Sequence, residues 1–306
     1  MNRGNQKVTL LGATGFLGSA IADVLDTMQI PWIGICIGKS TRPNIVALSP
    51  DDKESLINII NDYPIVINAT GSLKPKDFEE RTTESLDLFW KNVEHFTDVL
   101  VSSNIEMLVH LSSAGTVYGD RASGDGYEES SLLKPISWYG KAKMFEELHY
   151  EKVAELEEFK YLCVRISNPF GNKVKARHGF IDVLLYCMRE GKEFSYFADC
   201  DPKRDFVYAP DMSKMILSLV TKNECGTYNI GSGNAINLSS IANYVKEKID
   251  TPYLINRTLA KPSFDVLNSV ICIDKVKSKN AYTNTMSVYD YIDAQLLLSP
   301  VNKNGL

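Results

Sequence analysis

Short apolar runs alternate with amphipathic stretches through the first half of the chain. Val8–Leu11 is an apolar run that stops at Gly12, and Leu17, Ile21, Val24, Leu25 and Met28 follow on one face of a helix. Trp32–Ile37 reads as a second strand, Ser49–Asn61 as a helix with Pro50 near its start, and Ile65–Ala69 as a buried strand. Thr83–Ser103 is a long amphipathic helix carrying Leu86, Phe89, Val93, Phe96 and Leu100. Met107–Leu111 and Tyr161–Ile166 are strands on either side of a helix over Trp138–Glu157. Such alternation predicts an α/β fold, a parallel sheet with helices on both faces and its strand ends gathered at one edge. After Ser167 the rhythm loosens. Asp199–Arg204 and Asn256–Asp265 read as loops, and Ser299–Leu306 as a frayed tail. The pattern therefore divides the chain into residues 1–166 and a smaller, mixed region over 167–306 with segments that return to the first.

Composition narrows the classes. The 306 residues are 44% apolar and 23% charged, which excludes wholesale disorder. With 33 basic against 38 acidic residues the net charge is −5, and no basic run offsets it, so no nucleic-acid partner is expected. Six cysteines show no C-x-x-C spacing and the four histidines stand apart from them, so no metal site is expected. Met1–Lys7 is polar and no long apolar stretch occurs, which predicts a cytoplasmic protein without a membrane partner.

Two motifs carry chemistry. Gly12-Ala13-Thr14-Gly15-Phe16-Leu17-Gly18 follows a strand and opens a helix. Gly12 allows the tight turn, Gly15 lets backbone amides approach a pyrophosphate at the helix N-terminus, and Gly18 lets the helix sit close on the strand. This is the signature of a Rossmann-like, doubly wound dinucleotide-binding domain. The expected cofactor set comprises Gly12, Thr14, Gly15, Phe16, Leu17 and Gly18, the strand end Ala69-Thr70-Gly71, Ile166, and the pair described next. Tyr139 and Lys143 stand four apart at the start of a helix and so share a face. A nearby ammonium favours the phenolate and brings tyrosine toward a working acid/base.

Combined with Leu111-Ser112-Ser113-Ala114-Gly115-Thr116-Val117-Tyr118-Gly119, these motifs resemble the extended short-chain dehydrogenase/reductase family of nucleotide-sugar epimerases, dehydratases and ketoreductases. The resemblance spans nearly the whole chain. It includes Asn92, Arg165-Ile166-Ser167-Asn168-Pro169-Phe170-Gly171, Arg204-Asp205-Phe206-Val207 and Gly226-Thr227-Tyr228-Asn229-Ile230-Gly231-Ser232-Gly233. It implies that Tyr139 is the acid/base, that Lys143 binds the nicotinamide ribose, and that Asn168 and Arg204 contact a nucleotide-sugar substrate under the smaller domain. It also implies a homodimer built from the two long helices. Many members carry Arg in the segment before Asp265, where this chain has Lys261.

One departure concerns the catalytic hydroxyl. Where the family usually carries Ser or Thr, this chain has Ala114; Ser113 and Thr116 are the candidates to replace it and to contact substrate. Gly115 and Thr116 occupy the positions where dehydratases carry an acid pair, which ranks that reaction last. No acid occurs between Asp26 and Asp51, while Lys39, Ser40 and Arg42 follow the second strand. Those three are read as contacts to a 2′-phosphate, so NADP(H) is the expected cofactor and NAD(H) the alternative. NADP in turn favours a C4 ketoreductase of a nucleotide 4-keto-6-deoxyhexose, ahead of a nucleotide-hexose 4-epimerase. A non-catalytic NADP-binding sensor is the distant alternative, disfavoured because it has no need of Tyr139 and Lys143.

Overall fold

A computed structural model describes residues 6–71, 73–120, 126–172, 179–197, 200–248, 255–258 and 263–298. In chain order, β1 (Val8–Leu11), α1 (Phe16–Thr27), β2 (Trp32–Cys36), β3 (Ile45–Ala47), α2 (Lys53–Asp62), β4 (Ile65–Asn68), α3 (Pro75–Glu80) and α4 (Thr82–Val101) come first. They are followed by β5 (Met107–Ser113), α5 (Ala114–Val117), α6 (Trp138–Leu156), β6 (Lys160–Ile166), β7 (Asn168–Phe170), α7 (Gly179–Arg189), β8 (Phe194–Phe197) and β9 (Lys203–Tyr208). The remainder comprises α8 (Ala209–Thr221), β10 (Gly226–Ile230), β11 (Ala235–Asn237), α9 (Leu238–Lys248), β12 (Ile255–Thr258), β13 (Asn268–Ser269), α10 (Asp274–Ser278) and α11 (Val288–Leu298).

Seven strands form one parallel sheet in the order β10-β6-β5-β4-β1-β2-β3. Alternate strand positions bury opposite faces, as the strand period requires. Val8 and Leu10, Ile65 and Ile67, Met107 and Val109, and Leu162 and Val164 pack with α1 and α8 on one side. Leu11, Val66, Leu108, Tyr161 and Cys163 pack with α2, α4 and α6 on the other. Continuous apolar runs in the sequence thus become strands buried on both faces.

A smaller lobe is built on β9, which pairs with β7 and β13 in parallel and with β11 antiparallel. Its core joins Phe170, Leu184, Met188, Phe206, Ile241 and Ile292. The result is a Rossmann-like sheet with a smaller mixed lobe. β10 and α8 return from the later part of the chain to complete the large sheet and its cover.

Some elements differ from the pattern reading. The expected helix from Ser49 begins at Lys53, where the Asp52 carboxylate accepts from Ser55 N at 3.1 Å and caps it. The supposed loop ending at Arg204 becomes β9 from Lys203 on, because partners from distant segments satisfy its charged residues. The region expected as a loop from Asn256 begins inside β12. Ser299–Leu306 lies outside the described residues. Among the described residues no helix is long and apolar enough to cross a membrane, and no group of side chains is arranged to hold a metal.

Candidate active site

The glycine turn joins β1 to α1. Gly12 has φ +72°, and a Cβ there would lie 2.6 Å from the Ala69 carbonyl oxygen and 3.1 Å from Thr70 N. Only glycine lets this turn meet the end of β4, so the two segments expected to bind cofactor do converge. A Cβ on Gly18 would lie 2.1 Å from the Gly12 carbonyl oxygen, which fixes how closely α1 sits on the turn. Gly15 caps α1 with no side-chain hydrogen bond, and no acid occupies the first helical turn. Phe16 is buried and Thr14 and Leu17 are half-buried around that end. Beyond β4, Thr70 donates to the Asn68 side-chain oxygen through its amide (3.1 Å) and hydroxyl (2.6 Å), and Thr70 and Gly71 are exposed. An uncapped helix start beside glycine backbone fits the pyrophosphate of a dinucleotide. Ile166, at the end of β6, is buried and in register with Ser113.

The residues after β2 are arranged differently from the 2′-phosphate reading. Arg42 is ion-paired through one guanidinium nitrogen with Asp23, while the other lies 3.9 Å from Asp26, both on α1. Ser40 Oγ accepts from Arg42 N at 3.2 Å, and Lys39 is exposed.

Tyr139 and Lys143 occupy the first turns of α6. The Ser137 hydroxyl accepts from Gly140 N at 3.0 Å and starts that helix, while Phe78 of α3 packs edge-on against the Tyr139 ring at 5.9 Å. A Cβ on Gly140 would lie 2.8 Å from the Thr116 carbonyl oxygen. This glycine therefore lets α5 close onto the start of α6, with the Thr116 carbonyl against Gly140. Ala114 is buried, and the Thr116 hydroxyl donates to Ser113 O at 3.3 Å. Lys143 Nζ donates to Glu146 at 2.7 Å and lies 3.5 Å from the Leu111 carbonyl oxygen. Burial works against the Lys143 ammonium, but the charge and hydrogen bond of Glu146, above all, more than offset it and hold Lys143 protonated well above its ordinary range.

The smaller lobe contributes a cleft of about 310 Å³ whose lining includes Asn168, Phe180, Tyr196, Arg204, Phe206 and Asp265. Asn168 Nδ2 donates to Asp205 O at 2.9 Å, and its side chain is the nearest neighbour of Gly115. Arg204 is buried and already engaged, donating to Leu267 O at 2.9 Å, to Val266 O and to Asp265 at 3.0 Å. It thus lines the cleft with its guanidinium nitrogens held by the protein. Lys261 lies outside the described residues, and Asn92 is exposed on α4.

Pattern reading missed a buried polar set beneath Lys143. Glu147 accepts from Arg165 Nε at 3.0 Å and Nη2 at 2.7 Å and from the Ser112 hydroxyl. Arg165 Nη1 donates to the Tyr118 hydroxyl and to Glu129 O, each at 3.0 Å. His110 is buried on β5 with neither ring nitrogen hydrogen-bonded, 3.8 Å from Glu146. Burial pushes its imidazole down to about 4. A lone histidine inside an apolar strand was the available signal.

The family model described as "NAD dependent epimerase/dehydratase family" matches residues 8–231. Among curated relatives, dTDP-4-dehydro-6-deoxyglucose reductase of Escherichia coli is 24% identical, covering 94% of this chain and 95% of its own. Among solved structures, the UDP-glucose 4-epimerase of Thermotoga maritima with UDP-glucose superposes with a TM-score of 0.83. It is 20% identical and covers 95% of this chain and 97% of its own. The UDP-glucose 4-epimerase of Thermus thermophilus in complex with NAD gives 0.82 at 19% identity, covering 94% and 98%. Other structures of this fold also hold NAD. That finding overturns the expectation of NADP(H), and the structure supplies a reason: Asp23 and Asp26 take up the Arg42 charge that was assigned to a 2′-phosphate. A match over residues 8–231 makes this chain a member of the NAD dependent epimerase/dehydratase family, enzymes of the NAD(P)-dependent oxidoreductase and epimerase type.

Proposed function

We propose that the protein is a nucleotide-hexose 4-epimerase of the UDP-glucose 4-epimerase kind, with NAD as its cofactor. What supports the reading is that the glycine turn after β1, Lys143 on the Leu111 carbonyl of β5 and Asn168 just past β6 all belong to the same ends of one parallel sheet, in a fold shared with an NAD-bound 4-epimerase. NAD that stays bound and is regenerated within one turnover suits an isomerisation without net redox change. This reverses the order expected when NADP was assumed.

Gly12, Gly15, Gly18 and the start of α1 would hold the pyrophosphate, and Lys143 the nicotinamide ribose. When bound, NAD supplies a reversible hydride acceptor. Tyr139 holds the proton at the sugar O4, taking it in one direction and returning it in the other. Lys143 steadies the phenolate. Ser113 and Thr116 supply the hydroxyls that Ala114 lacks, and Asn168 and Arg204 face the nucleotide from the cleft.

A second reading is a reductase of a nucleotide 4-keto-6-deoxyhexose, favoured by the full-length likeness to dTDP-4-dehydro-6-deoxyglucose reductase. One experiment separates them. The purified protein is incubated with UDP-glucose, and separately with dTDP-4-dehydro-6-deoxyglucose and NADH. Appearance of the C4 epimer without consumption of added cofactor is the expected result. Stoichiometric NADH oxidation with the keto sugar, and no epimer, would replace the epimerase by the reductase.

A further inference from the structure

The sheet edge that carries the glycine turn also carries the end of β2. Leu11 of β1 is in register with Ile35 of β2, so Gly12-Ala13 and Cys36-Ile37 leave the sheet side by side. The Ile35 carbonyl accepts from Gly12 N at 3.0 Å and from Ala13 N at 3.1 Å, which ties the two segments together. Cys36 is buried and its thiol donates to the Gly38 carbonyl oxygen at 2.7 Å, so the chain turns just beyond the strand. Ile37, held between them, is 80% exposed, and a Cβ on Gly38 would meet nothing within 4 Å. Ile37 also lies about twenty residues past the glycine turn, where dinucleotide-binding folds usually carry an acid on the ribose hydroxyls. The acids on α1 are already taken: Asp23 by Arg42, and Asp26 by Trp32 Nε1, which donates to it at 2.7 Å.

We propose that Ile37 takes the place of that acid: its side chain seats the adenosine of NAD by apolar contact, and no carboxylate holds the ribose hydroxyls. A single exposed apolar residue is ordinary on a surface. This one is set apart by its place, level with Ala13 and beside the turn that fits a pyrophosphate. Sheet order supplies the direction. In the run β5-β4-β1-β2, Lys143 lies over the Leu111 carbonyl of β5, and the glycine turn leaves β1. A dinucleotide with its nicotinamide end toward Lys143 and its pyrophosphate at the turn therefore runs its adenosine out over β2. There the branched side chain of Ile37 offers apolar surface to cover but no acceptor, so the ribose hydroxyls stay with water. Affinity then comes from the pyrophosphate seat and the nicotinamide end rather than from a charged clamp on the ribose.

This inference rests on NAD being the cofactor, and the test reads binding without turnover. Calorimetry on protein freed of nucleotide measures NAD, ADP-ribose and nicotinamide mononucleotide in turn. Ile37→Asp should tighten NAD and ADP-ribose by about tenfold, through charge-assisted hydrogen bonds from the ribose hydroxyls. Ile37→Ser, which removes the apolar surface without adding a charge, should weaken both by about threefold to tenfold. Nicotinamide mononucleotide lacks the adenosine and should bind all three proteins alike. An Ile37→Asp protein that binds NAD no more tightly than the wild type overturns the placement of Ile37 at the ribose and leaves the glycine-turn site intact. A wild type that binds neither NAD nor ADP-ribose overturns the cofactor reading itself.

Discussion

Removing one member of the Glu147–Arg165 pair should destabilise the protein more than removing both. The two side chains are 6% and 8% exposed, and Glu147 takes three of its hydrogen bonds from Arg165. Arg165 also stands over the Tyr118 ring at 5.0 Å and donates to its hydroxyl. Glu147→Leu leaves a guanidinium in the core with only the Tyr118 hydroxyl and the Glu129 carbonyl as acceptors. Breaking a buried pair in this way costs about 3–5 kcal/mol, most of it the unpaired charge. At about 2–4 °C per kcal/mol the melting temperature should fall by roughly 6–20 °C. Arg165→Met alone should cost a similar amount, because it strands the Glu147 carboxylate with the Ser112 hydroxyl. The double variant Glu147→Leu/Arg165→Met buries no charge and should recover at least half of that loss. Urea unfolding of all four proteins gives the cycle. Single variants within about 0.5 kcal/mol of wild type, or a double variant at the sum of the two losses, would refute the reasoning.

Tyr139→Phe keeps the ring against Phe78 but removes the transferable proton, so turnover should drop by roughly 10²–10⁴-fold while NAD still binds. Steady-state kinetics beside NAD titration checks this, and near-normal turnover would remove Tyr139 from the mechanism. His110 gives a pH dependence of known sign. Its imidazole titrates near 6.5 when unfolded and near 4 when buried, so the unfolded chain takes up the extra proton between those values. Stability from this group is present above about 6.5 and is lost as pH falls toward 4, on the order of 3 kcal/mol in all. His110→Leu should flatten the melting temperature in that window relative to wild type; parallel curves would refute it. Leu88, Trp90, Trp138 and Leu148 are exposed apolar side chains on α4 and α6, and we expect two copies to bury them against each other about a twofold axis. Light scattering should give a dimer for the wild type and a monomer for Trp90→Asp/Leu148→Asp; a wild-type monomer at micromolar concentration would sink the assembly.

Where the sequence was legible, the cause was local. The strands at Val8, Ile65 and Met107 are mostly apolar runs, and such runs are what a sheet covered on both sides demands. Gly12 and Gly18 stand where a Cβ has no room, so their spacing carried the turn. Residues with remote partners were opaque. Lys203 and Arg204 read as the end of a polar loop because their partners, at 265–267, lie more than sixty residues away. Arg42 read as a cofactor contact because the acids sought lay past the second strand, whereas Asp23 and Asp26 precede it on α1. β3 is three residues long and only half-buried, too short for a periodic signal. Glu146 and His110 stand 36 positions apart and meet only when α6 lies on β5.

The return of β10 to the edge of the large sheet bears on how the chain comes off the ribosome. Residues 226–230 pair with 162–166, and α8 supplies Met212, Met215, Ile216 and Leu219 to the core beneath β1 and β6. Until residue 230 has emerged, β6 is an unpaired parallel edge, and Leu162, Val164 and Ile166 lack their cover. Synthesis therefore passes through a stretch of more than sixty residues in which the nascent N-terminal half presents an open, apolar strand. During that interval the half-made sheet is a template for other strands and a natural client for chaperones, and a nascent chain that ends at 166 stays in that state permanently.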